Sequence, residues 1–479
     1  MTRGRSGIVP EPKTLQLIEG RNNRVITGSS AAISLFLLCL LAILRYSKLR
    51  IVLAIGLGGY TAIEAAAVVV IALVGWALFL RLPVQSSAVP KVQLAAFPSL
   101  PASLDPLLSL RAYACMCVLL GHSFLIAFPP TDLKEAIRNH AFYTHFLPEP
   151  WIGVWIFFTL SGYLMGKGFF FGRYKTTTLG AVSFYRNRLL RILPMYLAGT
   201  LVVAALLKPE FFYPRHYLNA INLLVFFDFV GDPAVPNSAL WSIGTELEFY
   251  LFVPFLFVLL RGYLTSKGNI SVAYLLIICA GLSSRLLAWR YLPENVYGGT
   301  FLGNFDFFLG GFALSALMPL LRDNPPVRHR ITAGLAGLII YYLIAAYFCQ
   351  HGRMLDEDTP EFLRQTILPS FTILTTSAII FLMETGSVEG ESGWVRWIIK
   401  RTQIFGILTY AIYVWQEPIL LASHAGIVGT PMSFWRTLEM IALNLCKIFA
   451  VAYLFYYWIE RYYDKKKVVY APAATSSPP

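Results

Sequence analysis

The chain has little charge. Only 14% of its 479 residues are charged while 57% are hydrophobic, and its mean hydropathy of +0.61 excludes a soluble protein of this length. There are six cysteines, all within apolar stretches, with no CxxC pair and no His/Cys spacing of a zinc site. Neither a disulfide framework nor a metal centre is expected. The basic N-terminus lacks a clear cleavage site before its first apolar run, which argues against a removed leader. Paired, inverted, broken helices of the kind that mark many transporters are also missing. The net charge of +13 could suggest nucleic acid, but the basic residues sit in short runs between apolar segments. Membrane topology accounts for them, and no nucleic-acid partner is expected.

What remains is a series of apolar runs long enough to cross a bilayer. The pattern predicts an all-α polytopic membrane protein with about twelve transmembrane helices. Residues 1–28 read as a cytoplasmic basic tail, 29–82 as an N-terminal helix pair, 83–103 as a linker, 104–463 as the main membrane domain of about ten helices, and 464–479 as a disordered tail. The ten spans fall near 107–128, 150–170, 189–207, 239–260, 271–289, 301–320, 331–348, 366–384, 403–423 and 438–459. The short apolar patch Ala220–Val230 contains Asp228 and reads as interfacial or re-entrant. With the N-tail inside, the basic loops 167–191, 261–267, 322–330 and 461–467 fall on one side and the acidic loop 356–361 on the other. Both termini are then expected in the cytoplasm, with the protein in the plasma (inner) membrane. The basic turn 45–50 breaks this rule and is outweighed by the downstream regularity.

Expensive polar groups in apolar helices are the candidates for function. Arg111 and His122 lie in one such run, SLRAYACMCVLLGHSF. Eleven residues turn a helix by about 1100°, so the two share one face roughly 16 Å apart along the axis. A packing histidine with a snorkelling arginine is the alternative. In WSIGTELEFYLFVP, Ser242, Glu246 and Tyr250 share a face and Glu248 points elsewhere, making Glu246 the functional candidate unless it pairs structurally with an arginine. Arg188 and Arg191, three apart, suit contact with phosphates or with anionic lipid. Ser161 and Gly162 read as structural, since no GxSxG elbow accompanies the serine. Asp306 and Glu64 are weaker candidates, and the other histidines receive no role.

The segments LRAYACMCVLLGHSF, GVWIFFTLSGYLMG, SFYRNRLLRILPMY, LWSIGTELEFYLFVP and GILTYAIYVWQEPIL occur in this order. Together they resemble the acyltransferase 3 family of integral membrane acyltransferases, over roughly Leu104 to Tyr463. The resemblance implies O-acetylation of cell-surface or exported carbohydrates. It implies an essential histidine at His122 paired with the basic Arg111, a motif carboxylate at Glu246, and a coenzyme A contact at Arg188 and Arg191. Trp458–Ile459–Glu460 resembles the closing motif. Two positions depart: Trp155 stands where the family commonly has Asp, and Gln416 where it often has His.

The expected chemistry is transfer of an acyl group, acetyl foremost, from acyl-CoA to a carbohydrate hydroxyl. His122 would act as base, assisted by Glu246 if packing brings them together, and Arg111 would stabilise charge or grip the donor. Acetyl-CoA is the expected donor, with no metal. A transporter of acyl groups or lipid-linked sugars, and a membrane acyltransferase acting on lipid or protein, are the competing readings.

Overall fold

In the computed structural model the described residues are 104–127, 135, 138, 149–207, 237–291, 298–299, 301–355, 357–425 and 434–467. The expected N-terminal tail, helix pair and linker, the patch Ala220–Val230, and most of the C-terminal tail lie outside them. Ten helices long and apolar enough to cross a membrane are found among the described residues. They are α1 (Pro106–Ala127), α2 (Pro150–Phe170), α3 (Thr178–Leu207), α4 (Trp241–Leu260), α5 (Lys267–Tyr291), α6 (Phe301–Leu317), α7 (Arg330–Phe348), α8 (Asp358–Thr385), α9 (Gly393–Ala425) and α10 (Phe434–Phe455). The protein is an all-α polytopic membrane protein, and each span expected beyond Leu104 has its helix.

Three helices begin well before their apolar stretch. α3 starts at Thr178, α8 at Asp358 and α9 at Gly393, about ten residues ahead of the hydropathy boundary in each case. Charge ends a hydropathy window without ending a helix. Arg186, Arg188 and Arg191 are good helix formers, and Asp358 and Glu361 sit in the first turn of α8, where the helix dipole favours them. Arg188 and Arg191 therefore lie inside α3, not in a loop before it.

Helix α2 is central, with 78% of its span inside the bundle, while α5 has 17% and faces outward. Close backbone approach holds the centre together. A side chain at Gly162 would overlap the Phe308 carbonyl of α6, and one at Gly311 would overlap Thr159 of α2. This reciprocal fit is the small-residue packing that apolar helices use when lipid offers no hydrophobic drive between them. On its other side, α2 brings Gly153 against Ala114 and Val118 of α1. α1 in turn packs on α9, where Gly406 lies against the backbone of Leu108.

Two local devices shape the region around α9. Pro418 inside α9 cannot donate to the carbonyl of Val414, and the Asn237 side-chain amide does so instead at 2.7 Å. Glu417 accepts from the Ala239 amide at 2.6 Å and from the Ser238 hydroxyl, capping the 3₁₀ turn Ser238–Leu240 that leads into α4.

Candidate active site

The α1–α9 seam is a parallel pairing, because contacts rise together along both helices. Thr402 bonds Ser109 at 2.8 Å, the Arg111 Nη2 donates to Thr409 Oγ1 at 3.4 Å, and the Cys115 Sγ meets the Thr409 carbonyl at 3.7 Å. Seven residues beyond Cys115 is His122, and seven beyond Thr409 is Gln416. Seven residues return a helix to within about 20° of the same face and raise it by about 10 Å. Together with Leu108 against Gly406 and Arg111 at Thr409, this carries His122 and Gln416 onto the same seam within about one helical turn of each other. Gln416 is 1% exposed, and neither atom of its carboxamide has a hydrogen-bond partner. Three residues earlier, the Tyr413 hydroxyl donates to the Ala239 carbonyl and lies 2.6 Å from Ser242 Oγ, tying α9 to the start of α4.

At the other end of this seam the arginines gather. The Arg111 guanidinium lies within electrostatic reach of Arg191, Glu246, Tyr250 and Arg188, so four of the five expected site residues share one partly buried neighbourhood. Glu246 accepts from Ser161 Oγ and from the Tyr250 hydroxyl, both on Oε1 at 2.5 Å. Ser161, expected to be structural, meets Glu246 because α2 crosses α4, which brings together residues 85 apart in sequence. Glu246 thus belongs to the arginine end of the row from Arg111 to His122.

Arg188 is set by an aromatic cage. Its guanidinium carbon is 6.0 Å from the ring centres of both Phe184 and Tyr250, and it interacts with Tyr174, whose hydroxyl also accepts from Asn187 at 3.2 Å. The Arg188 Nε remains buried without a hydrogen-bond partner. Arg191 differs. It ion-pairs with Glu460 and, at 3.6 Å, with Asp464. The π turn Tyr456–Glu460 delivers Glu460, which gives the Trp458–Ile459–Glu460 motif a physical role; such turns are frequent at functional sites. Lys467, just past the last span, has its ammonium pushed down to about 8 by burial first and then by Arg191.

Charge counting follows from these contacts. Arg191 is balanced by its own carboxylates, while Arg111 and Arg188 face one carboxylate, Glu246. One positive charge is left over in a partly buried space. Such a surplus suits an anionic ligand, and the Arg188 Nε is a donor without a partner.

Two other sequence candidates sit apart from the arginine cluster. Asp306 forms a buried ion pair with Arg285 at 2.5 Å, and Trp155 stacks on Phe307 with ring centres 5.8 Å apart. Among the described residues no group of His, Cys, Asp and Glu could hold a metal ion.

A family model described as an acyltransferase domain, of the acyltransferase 3 type, matches residues 106–462. The peptidoglycan O-acetyltransferase OatA of Listeria monocytogenes is 28% identical over 366 residues, covering 69% of this chain and 55% of that protein. The Bacillus subtilis protein named "Putative peptidoglycan O-acetyltransferase YrhL" is 27% identical over 333 residues, covering 65% of this chain and 50% of that protein. The chain thus spans about half the length of these curated relatives. No solved structure matches it.

Proposed function

Because the chain belongs to the acyltransferase 3 family, matched over residues 106–462, we propose that it moves an acetyl group from acetyl-CoA to a hydroxyl of a cell-surface or exported carbohydrate, peptidoglycan being the leading acceptor class. The observation that carries this reading is the polar row from the uncompensated arginines to His122. Coenzyme A is an elongated polyanion joined through a long uncharged arm to its thioester. Arg188 and Arg111 suit its phosphates, and the seam between α1 and α9 suits its arm.

At the far end of that seam His122 takes the proton of the acceptor hydroxyl as the oxygen attacks the thioester carbonyl. The Gln416 amide, with both donor and acceptor to offer, holds the reacting carbonyl beside it. Collapse of the tetrahedral intermediate expels the coenzyme A thiolate, which takes up a proton. With both termini cytoplasmic and the membrane the plasma membrane, the arginines lie at the donor side and His122 towards the opposite leaflet. That arrangement answers how a cytoplasmic donor reaches an exported acceptor.

The reading is tested with purified full-length protein in lipid bilayers, acetyl-labelled acetyl-CoA and peptidoglycan fragments. Label appearing as an ester on the glycan supports it, and label found only in lipid or protein transfers it to the competing acyltransferase class. Within that assay Arg188→Ala is expected to raise the KM for acetyl-CoA about tenfold or more, given that one charge-assisted contact is worth about 1.5–3 kcal/mol, with a smaller change in kcat. An unchanged KM removes Arg188 from the donor site.

Gln416 separates function from packing by sign. A buried unsatisfied carboxamide costs about 1–3 kcal/mol, so Gln416→Leu is expected to raise the melting temperature of the protein while slowing transfer by tenfold or more. Lower stability with unchanged turnover identifies Gln416 as a packing residue.

A further inference from the structure

At the end of the bundle away from Lys167 and Glu384, four helices enclose an open cleft that plays no part in the chemistry above. It opens to the surface between Trp151 and Trp155 of α2, Arg285 and Trp289 of α5, and residues of α6 and α8. Gly153 turns α2 towards α1, and two residues to either side reverse the direction by about 160°. Trp151 and Trp155 therefore occupy the face of α2 opposite the His122 seam.

The lining has a distinct chemistry. Flat apolar surfaces come from Trp151, backed by Trp155 with ring centres 6.0 Å apart, and from Trp289, which is 40% exposed. Polar groups are fixed between them. Arg364 grips both carboxylate oxygens of Glu361 at 2.6 Å, and Arg285 grips both of Asp306 at 2.5 Å. Gln365 donates its amide to Glu361 at 2.5 Å, leaving its carbonyl oxygen as an acceptor. Asn304 is held by the Gly298 carbonyl at 2.6 Å.

Each arginine in the cleft is thus matched by its own carboxylate, so the cleft carries no surplus charge. An anionic headgroup gains little there. The ligand that fits has an apolar face for an indole, a rim of neutral hydrogen-bonding groups, and no charge, which describes a pyranose ring.

We infer that this cleft is a carbohydrate-binding subsite, which holds a sugar of the acceptor chain one or more units away from the unit being acetylated. For its role as an acceptor subsite the inference rests on the function proposed above; the binding itself does not. Trp155, stacked on Phe307, then backs the wall of the cleft. The Trp151 to Trp241 contact, with ring centres 5.3 Å apart, continues the aromatic surface towards the start of α4, whose next residue Ser242 meets Tyr413 beside Gln416. A glycan crossing one helix diameter, about 10 Å, would reach from one site to the other.

The test is equilibrium binding of fluorescently labelled neutral tetrasaccharides (chitotetraose, cellotetraose, maltotetraose and mannotetraose) to the purified full-length protein. At least one is expected to bind saturably, with affinity reduced tenfold or more in both Trp289→Ala and Trp151→Ala at unchanged melting temperature. Gln365→Ala, which leaves the rings in place, is expected to weaken the same ligand by about threefold to tenfold, the range of one neutral hydrogen bond. Binding should persist in His122→Ala, so failure of the catalytic reading and failure of this one give different results. Absence of binding by all four sugars, or binding unaffected by the tryptophan substitutions, overturns the subsite. So does displacement of the sugar by phosphatidylglycerol vesicles with no competition from neutral phosphatidylcholine, which would make the cleft an anionic lipid groove.

Discussion

His122→Ala is expected to lower acetyl transfer by about 10² to 10⁴-fold, the range contributed by a positioned general base, with the amount of protein in the membrane unchanged. Histidine suits the task because an imidazole nitrogen can accept the hydroxyl proton and later release it. Its position supports the same role. It stands about 16 Å along α1 from Arg111, on the seam that also holds, about one turn away, the unpartnered carboxamide of Gln416. A histidine that merely filled space would give a different pattern, in which removal lowers the melting temperature and leaves turnover per folded molecule intact. Three readouts separate the cases: turnover per folded protein, the melting temperature, and the acidic limb of the pH–rate profile. For a base, the acidic limb present in the wild type disappears in the variant, and added imidazole restores part of the rate. Full activity in His122→Ala would remove the histidine from the mechanism.

The polar residues that turned out to cluster were legible because each is costly where it stands. Arg111, Glu246, Arg188 and Arg191 sit in apolar or helix-entry runs, and a charged residue in such a run needs a partner. Their partners were not legible. Ser161 meets Glu246 across 85 residues and Arg191 meets Glu460 across 269, and such pairings depend on which helices cross and at what height. The helix period places Ser242, Glu246 and Tyr250 on one face but does not say what that face meets. The π turn at Tyr456–Glu460 breaks the 3.6-residue period from which faces are read, so the reach of Glu460 to Arg191 could not be predicted by counting. Gln416 illustrates a middle case. Its departure from the commoner histidine was visible as a change of letter, whereas its place on the His122 seam required the contacts of Arg111 and Cys115 with Thr409 to set the register. The helix count followed from hydropathy, and the early starts of α3, α8 and α9 did not, since hydropathy reports where lipid begins and not where helix does.

Glu246→Gln is expected to cut kcat by about 10²-fold while leaving the KM for acetyl-CoA equal or lower. The amide is the right replacement because Ser161 and Tyr250 both donate to Glu246 Oε1. Alanine would leave two buried hydroxyls without an acceptor, at about 1–3 kcal/mol each, and so confuse folding with catalysis. Glutamine keeps an acceptor oxygen and removes only the charge. Without that charge Arg111 and Arg188 face each other with no counter-ion until the donor arrives. An anionic donor is then bound at least as well, which sets the direction for KM. The loss in kcat has a separate origin. With its carboxylate, Glu246 balances Arg111 and fixes Ser161, so that the guanidinium meets the charge of the donor in one orientation. An uncompensated Arg111 can instead bind the donor phosphates tightly in unproductive positions, and that affinity is not expressed in the transition state. A structural ion-pair role makes the opposite prediction, with kcat within threefold of wild type and a lower melting temperature because two partly buried cations have lost their anion. Measuring kcat, KM and melting temperature on the same preparation decides between the two, since a fall in kcat with KM unchanged cannot arise from loss of uniform binding.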